Sequence, residues 1–147
     1  MKALLRVYLF SYLLQTIVSF DCPNGGFQIP NEDICVYSVT NAKSYSQAKS
    51  ECQSLGGIPS KIQNIFENAF IFSSITTDFV YIGVELGSDN KFVYSDGTPL
   101  VYQNWASNQP DKTKPCTAMD PQTGKWTSVD CESIRPYTCT SNGAYKL

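Results

Sequence analysis

Six cysteines constrain this chain more than any other feature of its sequence. All six follow the first 20 residues, at Cys22, Cys35, Cys52, Cys116, Cys131 and Cys139. An even cysteine count behind a secretion signal predicts a disulfide framework, although six cysteines allow fifteen connectivities. Zinc coordination is the alternative, but the sequence has no Cys-x-x-Cys pair and no histidine. We therefore expect structural disulfides and a secreted, extracellular protein.

The N-terminal segment has the composition of a secretory signal. Two basic residues precede a mostly apolar run from Val7 to Val18, and polar Asp21 follows. This pattern predicts a cleaved signal peptide over residues 1–20 and one domain over residues 21–147. A membrane anchor is the alternative, but an apolar run of about a dozen residues is shorter than the roughly 20 that a spanning helix needs. We expect no membrane insertion after cleavage.

Charge and composition exclude several classes of function. Without its two N-terminal basic residues the chain keeps nine basic residues against thirteen acidic ones, and it has no basic run, so we expect no nucleic-acid partner. The absence of histidine removes Ser-His-Asp and Cys-His nucleophile systems and histidine general bases. We therefore expect no enzyme.

A hydrolase that uses two carboxylates is the catalytic alternative that remains. The acidic residues near the candidate loop are Asp111, Asp120, Asp130 and Glu132. Nothing in their spacing predicts one raised and one lowered pKa facing the same bond.

Two helices are predicted early in the chain. Ser44 is an N-cap for the first, over residues 44–55, because apolar residues follow at helical spacing and two glycines end the segment. The second runs from about residue 64 to residue 74. Its apolar residues suggest a broad buried face, so Phe66 and Phe70 are expected in the core.

Strands are predicted later. The turn formers between Cys22 and Cys35 indicate a short hairpin-like segment at the start of the domain, closed by a local disulfide. From residue 79 the sequence turns β-branched and aromatic. The predicted strands are 79–84, 91–94, 116–120, 125–129 and 136–140. Helices followed by antiparallel strands predict an α+β domain.

The stretch from Asn104 to Cys131 is the candidate binding region. A polar, proline-containing loop lies between Trp105 and Trp126 and is bounded by Cys116 and Cys131. The remaining chain is interpreted as the scaffold that holds this loop.

Six short motifs follow one another along the chain. They are Tyr81-Ile82-Gly83-Val84, Phe92 to Leu100, Asn104-Trp105, Gln109-Pro110-Asp111, Trp126 before Cys131, and Tyr137-Thr138-Cys139. In these motifs and in its six cysteines the chain resembles a C-type lectin-like domain of the long form, and the resemblance covers Cys22 to Cys139. The resemblance implies two helices packed on antiparallel sheets with a long, disulfide-framed loop region. It also implies the pairs Cys22–Cys35, Cys52–Cys139 and Cys116–Cys131, in agreement with the spacing of the cysteines.

The resemblance also suggests ligand-binding residues, because the sugar site of this family binds calcium through oxygen ligands. Gln109 and Asp111 match the family's Gln-Pro-Asp motif, in the form associated with galactose-type binding. Thr127 and Ser128 stand after Trp126, where the family has Asn-Asp. The predicted ligand-binding residues are Gln109, Asp111, Trp126, Thr127 and Ser128.

The same set departs from what a calcium ion needs. Calcium takes six to eight oxygen ligands, with carboxylates supplying the charge. This set offers one carboxylate, at Asp111, and Lys114 stands where an acidic ligand is expected. We therefore expect no metal and no cofactor.

A secreted, non-catalytic binding protein is the function that these observations favour. Its ligand is expected to be a carbohydrate or a protein, recognised without the usual calcium site. The alternative is a structural or interaction module of an extracellular matrix or surface coat, without sugar binding. The even cysteine count argues against disulfide-linked oligomers.

Overall fold

The computed structural model describes residues 19–76 and 78–146. The predicted signal peptide therefore lies almost entirely outside the described residues, and its cleavage remains a prediction. Two helices lie in the described part, α1 (Tyr45–Ser54) and α2 (Ile65–Ser74). The first five strands are β1 (Ser19–Asp21), β2 (Phe27–Gln28), β3 (Ile34–Lys43), β4 (Ile58–Pro59) and β5 (Val80–Leu86). The others are β6 (Phe92–Tyr94), β7 (Cys116–Met119), β8 (Trp126–Val129), β9 (Arg135–Asn142) and β10 (Ala144–Lys146).

One sheet organises most of these strands. Its order is β2-β3-β9-β5-β7-β8, with β4 beside β9 and β6 beside β5, while β1 pairs with β10 in a separate sheet. The pairings are antiparallel except where β5 meets β9, with Tyr81 opposite Tyr137. The predicted α+β class is confirmed, and this parallel contact makes the sheet mixed.

The five strands predicted after residue 79 are present as β5 to β9. The sequence prediction missed most of β3, which was expected only as the end of the hairpin-like segment. Cys35, Val36 and Tyr37 are buried in succession. Because both faces of the strand are covered here, the alternation that normally reveals a strand is lost.

The three disulfides pair as the resemblance implies. The Cα–Cα distances are 5.5 Å for Cys22–Cys35, 5.4 Å for Cys52–Cys139 and 5.2 Å for Cys116–Cys131, all usual for a disulfide. No cysteine in the described chain is free. The second bridge joins α1 to β9, and the third frames the candidate loop.

Helix α1 follows its prediction. Ser44 precedes it, and the Ser44 backbone N–H donates to Gln47 Oε1 at 3.3 Å. A glycine is required at position 57 after the helix, because a Cβ there would lie 2.2 Å from the Thr140 carbonyl oxygen. The chain can therefore leave α1 close against β9.

Helix α2 has the predicted bounds, but the face that it buries differs from the predicted one. Its buried residues are Glu67, Asn68 and Ile71, whereas the Phe66 side chain is 76% exposed. The prediction that Phe66 belongs to the core is wrong, and Phe70 is only partly buried against the core.

Hydrogen bonds explain why the polar face of α2 points inward. Glu67 Oε2 accepts from the Gln63 backbone N–H at 2.6 Å, and its Oε1 accepts from Asn64 Nδ2 at 2.7 Å. Asn68 Oδ1 accepts from Trp126 Nε1 at 2.8 Å. Each buried polar group therefore has a partner, which removes most of the cost of burying it.

Candidate functional site

The start of the long loop is bonded to strand β8. The Trp126 backbone N–H donates to the Asn104 carbonyl, and the Ala106 N–H donates to the Trp126 carbonyl, each at 2.9 Å. Asn104 Nδ2 also donates to the Gly124 carbonyl at 2.8 Å. The loop therefore begins at a fixed position beside the sheet.

The middle of the loop is held by side chains that were predicted to bind ligand. The Ser128 N–H donates to Gln109 Oε1 at 2.9 Å, and the Asp111 N–H donates to Ser128 Oγ at 3.0 Å. The peptide bond between Gln109 and Pro110 is cis. Gln109, Asp111 and Ser128 are thus brought together, but two of their side chains are already used to hold the loop against β8.

The Asp111 carboxylate closes a turn of its own. Its Oδ1 accepts from the Thr113 backbone N–H at 2.9 Å and from Thr113 Oγ1 at 2.7 Å. These hydrogen bonds lower the pKa of the Asp111 carboxyl, and the positive charge of Lys114 lowers it further. The group therefore stays ionised at neutral pH.

Trp126 supports the site from inside. Its ring is completely buried, and it packs edge-to-face against Trp105 with the ring centroids 5.6 Å apart. A buried ring has no face free for a ligand, so the expected ligand contact of Trp126 is not available in this conformation. The residue is part of the core instead.

Thr127 lies at the surface beside this core. It lines a cavity of about 340 Å³ with Ser128 and Lys114. The Tyr81 hydroxyl donates to the Ser133 carbonyl at 2.6 Å and so fixes one wall of the cavity. Burial raises the pKa of this hydroxyl to about 12, so it remains a donor at neutral pH.

Two further lining residues, Phe79 and Arg135, were not among the predicted site residues. Phe79 precedes β5, and Arg135 opens β9. No motif links two such distant residues to the loop, because only the sheet order brings their strands together.

We predict that Gln109→Leu will loosen the loop. Leucine has a similar volume but cannot accept the Ser128 N–H, and an unsatisfied buried amide costs about 1–3 kcal/mol. Hydrogen exchange at the Ser128 amide should accelerate by about 10- to 100-fold. Gln122→Leu, at an exposed turn position, is the matched control and should leave this rate unchanged. Unaltered Ser128 exchange in Gln109→Leu would contradict the proposed role of the bond.

A two-helix α+β domain with a disulfide-framed loop of this kind has the architecture of a C-type lectin-like domain. The lectin C-type domain family model matches residues 41–141. The chain therefore belongs to this family.

Individual proteins and solved structures are also similar to this chain. Snaclec A11 of Macrovipera lebetinus is 30% identical over 145 residues, covering 88% of this chain and 90% of that protein. The type-2 ice-structuring protein of Hemitripterus americanus is 29% identical over 126 residues, covering 81% of this chain and 74% of that protein. Among solved structures, the carbohydrate-recognition domain of cow CD23 has a TM-score of 0.78 at 25% identity, and the match covers 86% of this chain and 99% of that chain. That structure was determined in the presence of a GlcNAc2Man3 oligosaccharide.

The site does not fit the calcium ion that the family's sugar site uses. Gln109 Oε1 and Ser128 Oγ already accept hydrogen bonds from the backbone. Asp111 supplies one carboxylate, and Lys114 brings a positive charge near it. Within residues 19–76 and 78–146, no group of three or more His, Cys, Asp or Glu is placed to hold a metal ion. Calcium takes six to eight oxygen ligands, with carboxylates supplying the charge, and the predicted set offers one carboxylate.

Proposed function

We propose that this chain is a secreted, non-catalytic binding protein whose long loop recognises a carbohydrate or protein ligand without calcium. The observation that supports this most directly is the pair of hydrogen bonds that join Gln109, Asp111 and Ser128. They hold the loop with protein atoms at the Gln-Pro-Asp motif, where the resemblance to the family implies a calcium-binding sugar site. A loop that is ordered in this way is pre-organised for binding.

The acidic residues near the loop favour binding over catalysis. The Asp111, Asp120 and Asp130 carboxylates each accept a hydrogen bond from the backbone two residues later, so each closes a local turn. A hydrolytic pair would need two carboxylates facing one bond, with their pKa values pushed apart. The present arrangement uses these groups for turn structure.

Secretion is supported by the disulfides and by the N-terminal segment. Three disulfides are typical of proteins that fold in an oxidising compartment. In the described part of the chain, no helix has the length and apolar character needed to cross a bilayer.

A glycan array run with calcium and with a chelator tests this function. We expect binding signals that change by less than about twofold between the two conditions, because protein atoms hold the loop. Loss of signal in the chelator would contradict calcium independence. No signal in either condition would exclude the glycans tested and favour a protein ligand or the structural-module alternative. The Gln109→Leu variant, run in parallel, should bind more weakly if the loop is the binding surface.

A further inference from the structure

The cavity beside the loop carries an excess of positive charge. Lys114 and Arg135 line it, against one acidic residue, Asp130. The chain as a whole has a net charge of −2, so this is a local reversal of sign. In the described structure, neither cation lies within ion-pair distance of a carboxylate, unlike Lys43, Lys49, Lys61 and Lys91.

Arg135 is the more constrained of the two cations. Its Nε is buried and lacks a hydrogen-bond partner among the described residues. The guanidinium group lies close enough to the Tyr81 hydroxyl to oppose the rise in its pKa. A guanidinium cannot lose its proton at any ordinary pH, and among the described residues no carboxylate lies within ion-pair distance of Arg135, although Asp130 lines the same cavity. An anionic ligand in the cavity would pair with this charge directly.

The other walls favour a ligand with hydroxyl groups and an apolar face. The hydroxyls of Thr127 and Ser133 line the cavity, and no hydrogen bond to either is found within the described structure. Phe79, which is half-buried, adds an aromatic surface. Sugar rings combine these properties, since their hydroxyls bond to polar side chains and their C–H faces pack on aromatic rings.

We propose that this cavity binds an acidic saccharide, in which a carboxylate or sulfate group lies between Lys114 and Arg135 and the ring packs against Phe79. The proposal rests on the proposed binding function and narrows its ligand class. The sugar would lie beside the loop, on the surface that Thr127 presents, with no metal ion between sugar and protein. Raising the ionic strength should weaken this binding, because the contacts of Lys114 and Arg135 with the anionic group are electrostatic.

The test uses NMR titration of the oxidised, isotopically labelled protein. The probes are methyl glucuronide, glucose 6-sulfate, the neutral methyl glucoside and sodium sulfate. We expect at least one of the two acidic sugars to shift the amide signals of Thr127 and Ser133. The neutral glucoside should bind with at least tenfold lower affinity. The carboxylate and sulfate arms show which anionic group is preferred.

Variants separate the cavity from the rest of the loop. Lys114→Gln should weaken binding of the acidic sugar by about tenfold, the effect of one charge-assisted hydrogen bond. Arg135→Gln should do the same, and Arg135→Lys should retain part of the affinity. Lys112→Gln is the matched control, because Lys112 is exposed on the same loop but does not line the cavity. Its effect should stay below twofold.

Several results would overturn the proposal. Equal binding of the neutral glucoside would remove the role of the charge, and equal affinity for sulfate alone would remove the role of the sugar ring. Shifts confined to other surfaces would place the site elsewhere. No shifts with either acidic sugar would exclude an acidic saccharide of this kind as the ligand. If the proposal fails while the array gives metal-independent signals from neutral glycans, the proposed function stands and only its ligand class is wrong.

Discussion

Removing the Cys52–Cys139 disulfide is expected to destabilise the protein more than removing either of the other two. This bridge spans 87 residues, and in the chain-entropy model a loop of that size contributes about 4–5 kcal/mol. Domains of this size are stable by only about 5–15 kcal/mol. Both sulfurs are fully buried between α1 and β9, so replacement by alanine also leaves a small cavity. The Cys52→Ala/Cys139→Ala variant should therefore be close to unfolded at 37 °C.

Urea unfolding followed by tryptophan fluorescence measures this effect. The matched comparison is Cys22→Ala/Cys35→Ala, whose loop spans 13 residues and whose loss should cost about 3 kcal/mol. An equal or greater loss of unfolding free energy in the shorter-loop variant would contradict the prediction. The comparison uses the same two chemical changes, and the bridges differ in span and in the partial burial of Cys22.

The elements that the sequence predicted well depend on local signals. Helix α1 has an N-cap at Ser44 and glycines after its last turn, and these act within a few residues of the helix itself. The strands after residue 79 are rich in β-branched and aromatic residues. The disulfide pairs followed from the resemblance, because cysteine spacing alone leaves many connectivities.

The orientation of α2 could not be predicted in this way. Periodicity shows that the helix has an apolar and a polar face, but it does not show which face finds partners in the folded chain. Asn68 bonds to Trp126, which lies 58 residues away. Phe66 and Ile65 are exposed because the helix buries the side that carries Glu67 and Asn68. A contact over that distance is set by the sheet topology.

The same limit applies to the candidate site. The Gln-Pro-Asp motif identified Gln109 and Asp111, and the structure brings both to Ser128. What the motif could not show is that Gln109 Oε1 and Ser128 Oγ accept the backbone hydrogen bonds that hold the loop against β8. It also could not show Arg135, since this residue reaches the cavity through the pairing of β9 with the rest of the sheet.

Replacing Trp126 with alanine is expected to be the other change with a large effect. The side chain is completely buried, and truncating a core tryptophan costs about 3–5 kcal/mol. The loss also leaves Asn68 Oδ1 without the indole donor, which adds the cost of an unsatisfied buried acceptor. Because β8 carries the backbone bonds that fix Asn104 and Ala106, the start of the loop should lose order with it.

Trp105→Ala provides the matched control, because Trp105 stands at the other end of the same loop and contacts the same core. Its ring is only partly buried, and its Nε1 donates to Gln103 on the exposed side. We expect a loss of about 1–2 kcal/mol, typical of a partly exposed position. Urea unfolding of both variants, followed by circular dichroism, distinguishes the two roles. A supporting residue loses stability when truncated, whereas a ligand-contacting residue loses affinity while the unfolding free energy stays near that of the unmodified protein. If Trp126→Ala kept its stability and lost only binding, the ring would have to reach the surface, and its assignment to the core would be wrong.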